Sequence, residues 1–172
     1  AALHTVEWTP VPLPAGDGPD WAEAVDGLDA AAGSGIVVVR PSGAPDTAEG
    51  AHRPVRHALE LVQRWLADER FADGRLAFVT RGAVAALPGD DVTDLAAAPV
   101  WGLIRSVQSE HPDRVVLVDL DGDDDRRLPE ALAAGEPQLA VRGDKLYAPR
   151  LARRDPEPVR NGPAPAPAPA PA

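Results

Sequence analysis

The sequence predicts an α/β domain in which a mostly parallel sheet has helices on both of its faces. The short, mostly apolar runs at residues 36–39 and 115–120 are typical of strands buried on both sides. Longer segments between them repeat apolar residues at helical spacing. Strands that alternate with helices require crossover connections, and such connections build parallel sheets.

The first half of the chain contains two predicted strands and two predicted helices. Residues 3–8 alternate in polarity, as a strand with one buried face does. Trp21, Val25 and Leu28 lie on one side of a predicted amphipathic helix, and Pro54 suits the first turn of another. The predicted elements are a strand at 3–8, a helix at 21–32, a strand at 36–39, a loop at 41–50 and a helix at 54–68.

The second half continues the alternation. A helix is predicted around Trp101, and Pro112 is placed to stop it. The stripe that this helix would bury consists of Val100, Leu103, Ile104 and Val107. The predicted elements are a strand at 76–80, the helix around Trp101, a strand at 115–120, a short helix at 128–134 and hairpin strands at 138–141 and 145–148. This order of elements is Rossmann-like.

The end of the chain differs in composition from the rest. Proline and alanine dominate after residue 155, and residues 163–172 alternate between the two. Such a tract cannot build a core and favours extended polyproline II structure. We therefore predict one domain over residues 1–153 and a Pro/Ala-rich disordered linker over residues 154–172.

Length and composition limit the possible functions. The 172 residues are enough for one domain with its own core. A formal charge of −10 disfavours nucleic-acid partners, because phosphates are repelled. No apolar run approaches the roughly 18 residues that cross a bilayer, and no secretion signal is recognisable, so we expect a cytoplasmic chain without a membrane partner. The absence of cysteine excludes disulfides and thiolate metal sites.

The chain lacks the motifs that a reductase with this fold would need. A dinucleotide site requires Gly-x-Gly-x-x-Gly directly after a strand, whereas Gly33 and Gly35 come before one. Short-chain reductases use a tyrosine with lysine or asparagine four residues later, but Leu151 follows Tyr147 at that spacing. We therefore predict no catalytic, cofactor-binding or metal residue, and we interpret Tyr147 as a half-buried strand residue.

An acidic segment between Asp119 and Asp125 offers the one alternative site. It resembles a calcium loop, but aspartate stands at position 124, where such a loop needs glycine. A solvated acidic turn is the favoured interpretation. The alternative function is a free-standing ligand-binding protein or enzyme with an unrecognised site in this segment, and a ligand-free binding module is a third. His52 and His57 are five residues apart, which does not place two metal ligands on one helix face.

Five residues are predicted to act in structure or contact. Trp101 is expected to be buried, Gly102 to let its helix approach the sheet closely, and Arg105 to pair with a carboxylate or cover a helix end. Val6 and Trp8 share one side of the first strand. That strand either joins the sheet of a neighbouring domain or pairs within its own domain.

Three ordered motifs resemble one known family. The first strand leads into Trp-Thr-Pro at 8–10, Trp-Gly-Leu-Ile-Arg at 101–105 precedes Glu-His-Pro at 110–112, and Leu-Tyr-Ala-Pro-Arg at 146–150 closes the match. Together they resemble the structural, N-terminal half of the ketoreductase in modular type I polyketide synthases.

The resemblance implies a truncated Rossmann fold without catalytic residues. It also implies that NADPH binds to a separate catalytic half, which reduces the β-keto group of a polyketide on an acyl carrier protein. The expected partner is that catalytic half. A neighbouring enoylreductase or dehydratase domain is a further expected partner, and the acyl carrier protein is expected to be met only indirectly.

Overall fold

The computed structural model describes residues 3–16, 18–25, 27–41 and 48–154, the side chains of residues 48 and 49 excepted. Two short 3₁₀ turns, Leu28–Ala31 and Glu69–Phe71, accompany the regular elements. The strands are β1 (Leu3–Val11), β2 (Trp21–Glu23), β3 (Ile36–Val39), β4 (Arg75–Arg81), β5 (Val115–Leu120), β6 (Gln138–Arg142) and β7 (Lys145–Arg154). The helices are α1 (Ala48–Ala67), α2 (Ala98–Glu110) and α3 (Leu128–Ala133).

One seven-stranded sheet organises the domain, in the order β1-β7-β6-β5-β4-β3-β2. Strands β2 to β6 are parallel, whereas β7 pairs antiparallel with β6 and β1 pairs antiparallel with β7. The predicted α/β class with a mostly parallel, Rossmann-like sheet is confirmed.

The sheet separates two hydrophobic cores. On one face, Val37 and Phe78 pack with residues of α1 and α2, including Trp65 and Trp101. On the other face, alternate residues of the same strands pack against α3. Helices thus cover both faces, as predicted, because buried parallel strands present apolar side chains on each side.

The segment from β1 to β2 crosses the whole sheet. These two strands are its opposite edges, six strand spacings apart, which is about 29 Å. The ten residues that follow Val11 can reach at most about 36 Å. The segment crosses the α3 face, because a side chain at Gly18 would lie 2.9 Å from the Pro129 carbonyl oxygen. The connection is therefore only slightly longer than the distance that it spans.

The predicted helix at 21–32 is wrong. Trp21–Glu23 is a strand that pairs in parallel with Ile36–Val38, and Val25 is 79% exposed. Gly27 then takes a φ of 100°, which interrupts any helix before the 3₁₀ turn. The apolar spacing was misleading because Trp21 packs on the α3 face of the sheet as an edge-strand residue.

The other predicted elements are present, and the strands at 36–39 and 115–120 have the predicted ends, whereas the ends of the rest are shifted. Helix α1 begins six residues before Pro54, so that proline lies inside the helix and not in its first turn. Part of the predicted loop at 41–50 is therefore helical, and its residues 42–47 lie outside the described residues. The predicted domain and linker boundary remains a prediction, since the linker lies almost wholly beyond the described residues.

Strand β1 belongs to its own domain's sheet. It pairs along its full length with β7, from Leu3 opposite Arg154 to Val11 opposite Leu146. Of the two alternatives left open by the sequence, pairing within the domain is therefore correct. The pairing also extends β7 six residues past the predicted end at 148, because β1 supplies a hydrogen-bonding partner there.

Candidate functional site

Arginines stand at the carboxyl ends of three parallel strands. Arg40 directly follows β3, and Arg81 and Arg142 are the last residues of β4 and β6. In open α/β sheets, ligands bind outside this carboxyl edge. The contacts of these arginines therefore indicate whether the edge has room for a ligand.

Asp119 is the buried centre of a hydrogen-bond network at this edge. The residue is 0% exposed although it carries a carboxylate. Oδ1 accepts hydrogen bonds from the Thr80 hydroxyl at 2.6 Å and from the Ala83 backbone N–H at 2.8 Å. Oδ2 accepts from Arg142 Nη2 at 2.9 Å. A buried carboxylate is tolerated when it is paired with a positive charge and hydrogen-bonded. Asp119 satisfies both requirements.

The network continues into helix α2 through Thr80. The Thr80 hydroxyl donates its one proton to Asp119, and its oxygen accepts a hydrogen bond from Trp101 Nε1 at 3.0 Å. Trp101 is buried, as predicted, so its indole N–H needs a buried acceptor. The series of bonds ties α2 to the ends of β4 and β5.

Arg142 joins Asp119 to the loop before α2. Its Nε donates to Asp90 Oδ2 at 2.7 Å, and its Nη2 also donates to the Val84 carbonyl oxygen at 2.7 Å. Burial would raise the pKa of the Asp90 carboxyl, but hydrogen bonds from Arg142 and from two backbone N–H groups of the same loop outweigh it. The pKa of Asp90 is therefore lowered, and the carboxylate stays charged beside Arg142.

A second ion-pair network covers the neighbouring part of the edge. Arg40 Nη2 lies 2.8 Å from Asp125 Oδ2, and Arg40 Nε lies 2.9 Å from Glu23 Oε1. Arg81 pairs with the other oxygen of Asp125. The positive charges at the ends of β3 and β4 are therefore already matched by carboxylates of the chain itself.

Two further acidic residues of the predicted alternative site also have partners within the chain. Asp121 Oδ2 accepts a hydrogen bond from the Gly143 N–H at 2.6 Å, and Asp124 pairs with Arg126. Within the described ranges, no group of three or more histidine, aspartate or glutamate side chains is placed to hold a metal ion. The segment is thus a turn held by its own carboxylates.

An open groove of about 470 Å³ lies beside these networks. Its charged lining residues are Asp90, Asp91, Asp121, Asp123, Arg81 and Arg142. Aspartates therefore outnumber arginines in the lining, and both arginines are paired. Negative charge in this position repels phosphate groups.

A second groove, of about 640 Å³, lies between β1 and α2. Its lining residues are Val6, Glu7 and Trp8 of β1, Arg105 of α2 and residues 84–88, and we call it the β1–α2 groove. Trp8 packs edge to face against Trp101, with ring centroids 6.2 Å apart. Four of the five residues singled out from the sequence thus lie in this groove or directly behind it.

Arg105 has neither of its predicted roles. Its guanidinium lies over the Trp101 ring, 5.4 Å from the centroid, and its Nε donates to Gln138 Oε1 at 3.1 Å. Among the described residues it takes part in no ion pair. Its guanidinium instead contacts an aromatic face, which attracts cations, and an amide oxygen.

The predicted role of Gly102 is also wrong. The residue lies on the exposed side of α2, and a Cβ added there would meet no atom within 4 Å. It therefore does not bring the helix closer to the sheet. The buried side of α2 consists of Val100, Trp101, Ile104 and Val107, so Gly102 points away from the core.

We expect Gly102→Ala to stabilise the chain by about 0.5–1 kcal/mol, because alanine loses less conformational entropy in a helix. Urea unfolding measures the change. Gly82→Ala is the contrasting variant: Gly82 has a φ of 65°, and its added Cβ would collide with the Thr93 hydroxyl, so it should destabilise. A loss of stability in Gly102→Ala would contradict the open position assigned to this glycine.

Other residues considered from the sequence have ordinary structural positions. His52 and His57 are exposed on α1, and His111 caps the end of α2, directly before Pro112. Tyr147 is half-buried in β7, as predicted. His57 lines a pocket beside Arg40 at the end of β3, but no second histidine among the described residues lines that pocket.

The fold and its edge define a class of protein: a Rossmann-like α/β domain whose carboxyl sheet edge carries its own buried and surface ion pairs beside an acidic groove. The family model described as the Rossmann fold domain of the polyketide synthase extender module SpnB matches residues 6–151. The chain belongs to this family. The resemblance to modular polyketide synthases is thereby confirmed, and its ketoreductase part is confirmed by the solved structures described below.

Relatives with curated descriptions are large polyketide synthases. The chain is 50% identical over 177 residues to polyketide synthase GfsE of Streptomyces halstedii. This match covers 89% of the present chain and 5% of GfsE. The present chain is 42% identical over 162 residues to pikromycin synthase component PikAII of Streptomyces venezuelae, covering 78% of this chain and 4% of that protein. The chain thus spans about one twentieth of these relatives.

Solved structures of ketoreductases share the fold. An A1-type ketoreductase superposes with a TM-score of 0.65 at 26% identity, covering 92% of this chain and 44% of the ketoreductase chain. An A-type ketoreductase from a modular polyketide synthase gives 0.63 at 26% identity, covering 89% and 42%. This chain therefore corresponds to less than half of each of these ketoreductases.

Proposed function

We propose that this chain is the structural, cofactor-free half of a polyketide synthase ketoreductase. It braces a catalytic half that reduces β-ketoacyl groups on a carrier protein with NADPH. The ion-paired and acidic carboxyl edge of the sheet carries the proposal. A pyrophosphate needs a glycine-rich turn and unoccupied backbone N–H groups at a helix start. Here the Asp119 and Asp125 networks occupy that edge and the adjoining groove is acidic, so these residues do not fit a dinucleotide.

The fraction of each solved ketoreductase chain that this chain covers supports a separate catalytic half. More than half of each ketoreductase chain lies outside the region that this chain matches. In this sequence the one tyrosine, Tyr147, lacks the lysine or asparagine four residues on that a short-chain reductase uses. The catalytic residues and NADPH accordingly belong to a partner.

We propose the β1–α2 groove as part of the contact with that catalytic half. The groove combines half-buried Trp8 with exposed Val6 and the exposed Arg105 guanidinium, and an apolar surface with a polar rim is typical of an interaction site. Gly102 continues this exposed surface along α2 without a side chain in the way. A neighbouring enoylreductase or dehydratase domain is a second candidate partner.

The isolated chain should neither bind NADPH nor reduce a β-keto thioester. Calorimetric titration with NADPH tests the first statement, and NADPH oxidation monitored with a β-keto thioester tests the second. Saturable NADPH binding at micromolar concentrations would show that the cofactor-free assignment is wrong.

Mixing this chain with the separately purified catalytic half should give a complex on gel filtration and a faster reduction than the catalytic half alone. Arg105→Glu should weaken both effects, because it reverses the charge at the groove. Arg53→Glu is the matched control, since Arg53 is an exposed arginine on α1 outside the groove. Absence of both a complex and a rate gain would contradict the bracing role.

A further inference from the structure

The two edges of the sheet differ in how well they are protected against pairing with a further strand. Strand β2 forms one edge with three residues, and so short an edge offers little to pair with. Strand β1 forms the other edge with nine residues, and within the described part of the chain it pairs with β7 alone. Its first seven residues contain no proline. Long, regular edge strands of this kind are templates for pairing with another strand.

Two prolines reveal which backbone groups of β1 face outward. In an antiparallel ladder, every second residue pair exchanges both N–H···O bonds, and the other residues point their groups away. Trp8 lies opposite Pro149, and Pro10 lies opposite Tyr147. Because proline has no N–H, these are the pairs that exchange no bonds. The N–H and C=O groups of His4, Val6 and Trp8 therefore point to the open edge.

The same residues carry exposed apolar surface. Val6 is 59% exposed and Leu151, directly opposite it on β7, is 73% exposed. Residues directly opposite in a ladder have side chains on the same face, which here is the face of Trp8 and α2. The sheet thus ends in a short apolar row that stops at Val6.

We propose that the open edge of β1 binds the β1 strand of a second copy of this chain, antiparallel and with Val6 opposite its own counterpart. This register pairs outward-pointing residues with one another, His4 opposite Trp8 and Val6 opposite Val6. It extends the apolar row to two Leu151 and two Val6 side chains. The result is a closed two-fold dimer with one sheet continuous across both copies.

Charge and apolar contact disfavour the two adjacent symmetric registers. Moving the two-fold axis to residue 7 would place Glu7 opposite Glu7, and like charges directly opposite are destabilising. Moving it to Thr5 would place Val6 opposite His4 and so separate the two Val6 side chains. With Val6 on the axis, Glu7 lies opposite Thr5 instead. This inference concerns the chain alone and does not depend on the proposed role in a ketoreductase.

Sedimentation equilibrium of the chain across a wide concentration series tests the dimer. The parent chain should fit a monomer–dimer equilibrium, and Val6→Lys should weaken association about tenfold or more, because two lysines would face each other. Val25→Lys is the matched control, since Val25 is 79% exposed away from β1, and it should associate like the parent. A strictly monomeric parent chain, or equal association in all three proteins, would overturn the proposal.

A cysteine variant tests the register. Paired Cα atoms of this kind are about 5.5 Å apart, within reach of a disulfide. The chain has no cysteine of its own, so Val6→Cys should form a covalent dimer on mild oxidation. In Glu7→Cys the two Cα atoms would be about 8 Å apart and should link slowly. Faster linkage in Glu7→Cys would overturn the proposed register.

Discussion

Replacement of Asp119 by alanine is expected to lower the free energy of unfolding by about 3–5 kcal/mol. The substitution leaves the 11%-exposed Arg142 side chain without one of its two carboxylate partners. It also removes the acceptor of the Thr80 hydroxyl and of the Ala83 N–H, and each unsatisfied buried polar group costs about 1–3 kcal/mol. A change of this size is a large part of a domain's marginal stability.

Urea unfolding of Asp119→Ala measures this effect. Asp123→Ala is the control, because Asp123 is an exposed aspartate in the same segment, and it should change stability by less than about 0.5 kcal/mol. Equal effects of the two substitutions would mean that Asp119 is not the buried centre of the network.

Trp101→Ala is expected to have an effect of similar size, about 3–5 kcal/mol. The side chain is 2% exposed, packs against Trp8 and donates a hydrogen bond to Thr80. Removal of so large a buried aromatic ring leaves a cavity. It also removes the hydrogen bond that the Thr80 hydroxyl oxygen accepts from the indole N–H. Arg105 would lose the ring that it covers, but exposed cation–π contacts contribute only about 0.5–1 kcal/mol.

Comparison with Trp101→Phe separates packing from hydrogen bonding. Phenylalanine keeps most of the apolar contact but cannot donate to Thr80, so a smaller loss is expected. Leu95→Ala is a control for truncation at an exposed site, since Leu95 is 62% exposed. Urea transitions of Trp101→Ala and the parent that coincide within about 0.5 kcal/mol would contradict the buried position of this tryptophan.

The two strands predicted from continuous apolar runs agree with the structure to the residue, as Ile36–Val39 and Val115–Leu120. Such runs are informative because a strand buried on both faces is apolar at every position and does not alternate between polar and apolar residues. The failure at residues 21–32 has the opposite cause. Three apolar residues at helical spacing predicted a helix, but backbone hydrogen bonds to β3 hold this segment in an extended conformation. One of them is donated by the Ile36 N–H to the Asp20 carbonyl oxygen, at 3.0 Å.

Asp119 illustrates what sequence reasoning missed at the site. The run of aspartates groups it with the acidic turn that follows, although it stands inside an apolar strand between Val118 and Leu120. A lone carboxylate in such a run is a signal of a buried, paired acid, because unpaired charged residues are almost never buried. Its partner, Arg142, could not be found in this way, since it lies 23 residues further along the chain.

The sequence by itself determined the α/β class, the alternation of strands and helices and the resemblance to a ketoreductase, because these depend on local periodicity and on ordered motifs. Only the tertiary structure decided that Asp119 and Arg142 meet, that Arg105 lies on Trp101, and that β1 is an edge strand of its own sheet. Those outcomes depend on which strand ends become neighbours. Whether a charged side chain or a strand edge is stabilised depends on a partner that lies far away in sequence, so local sequence patterns do not reveal it.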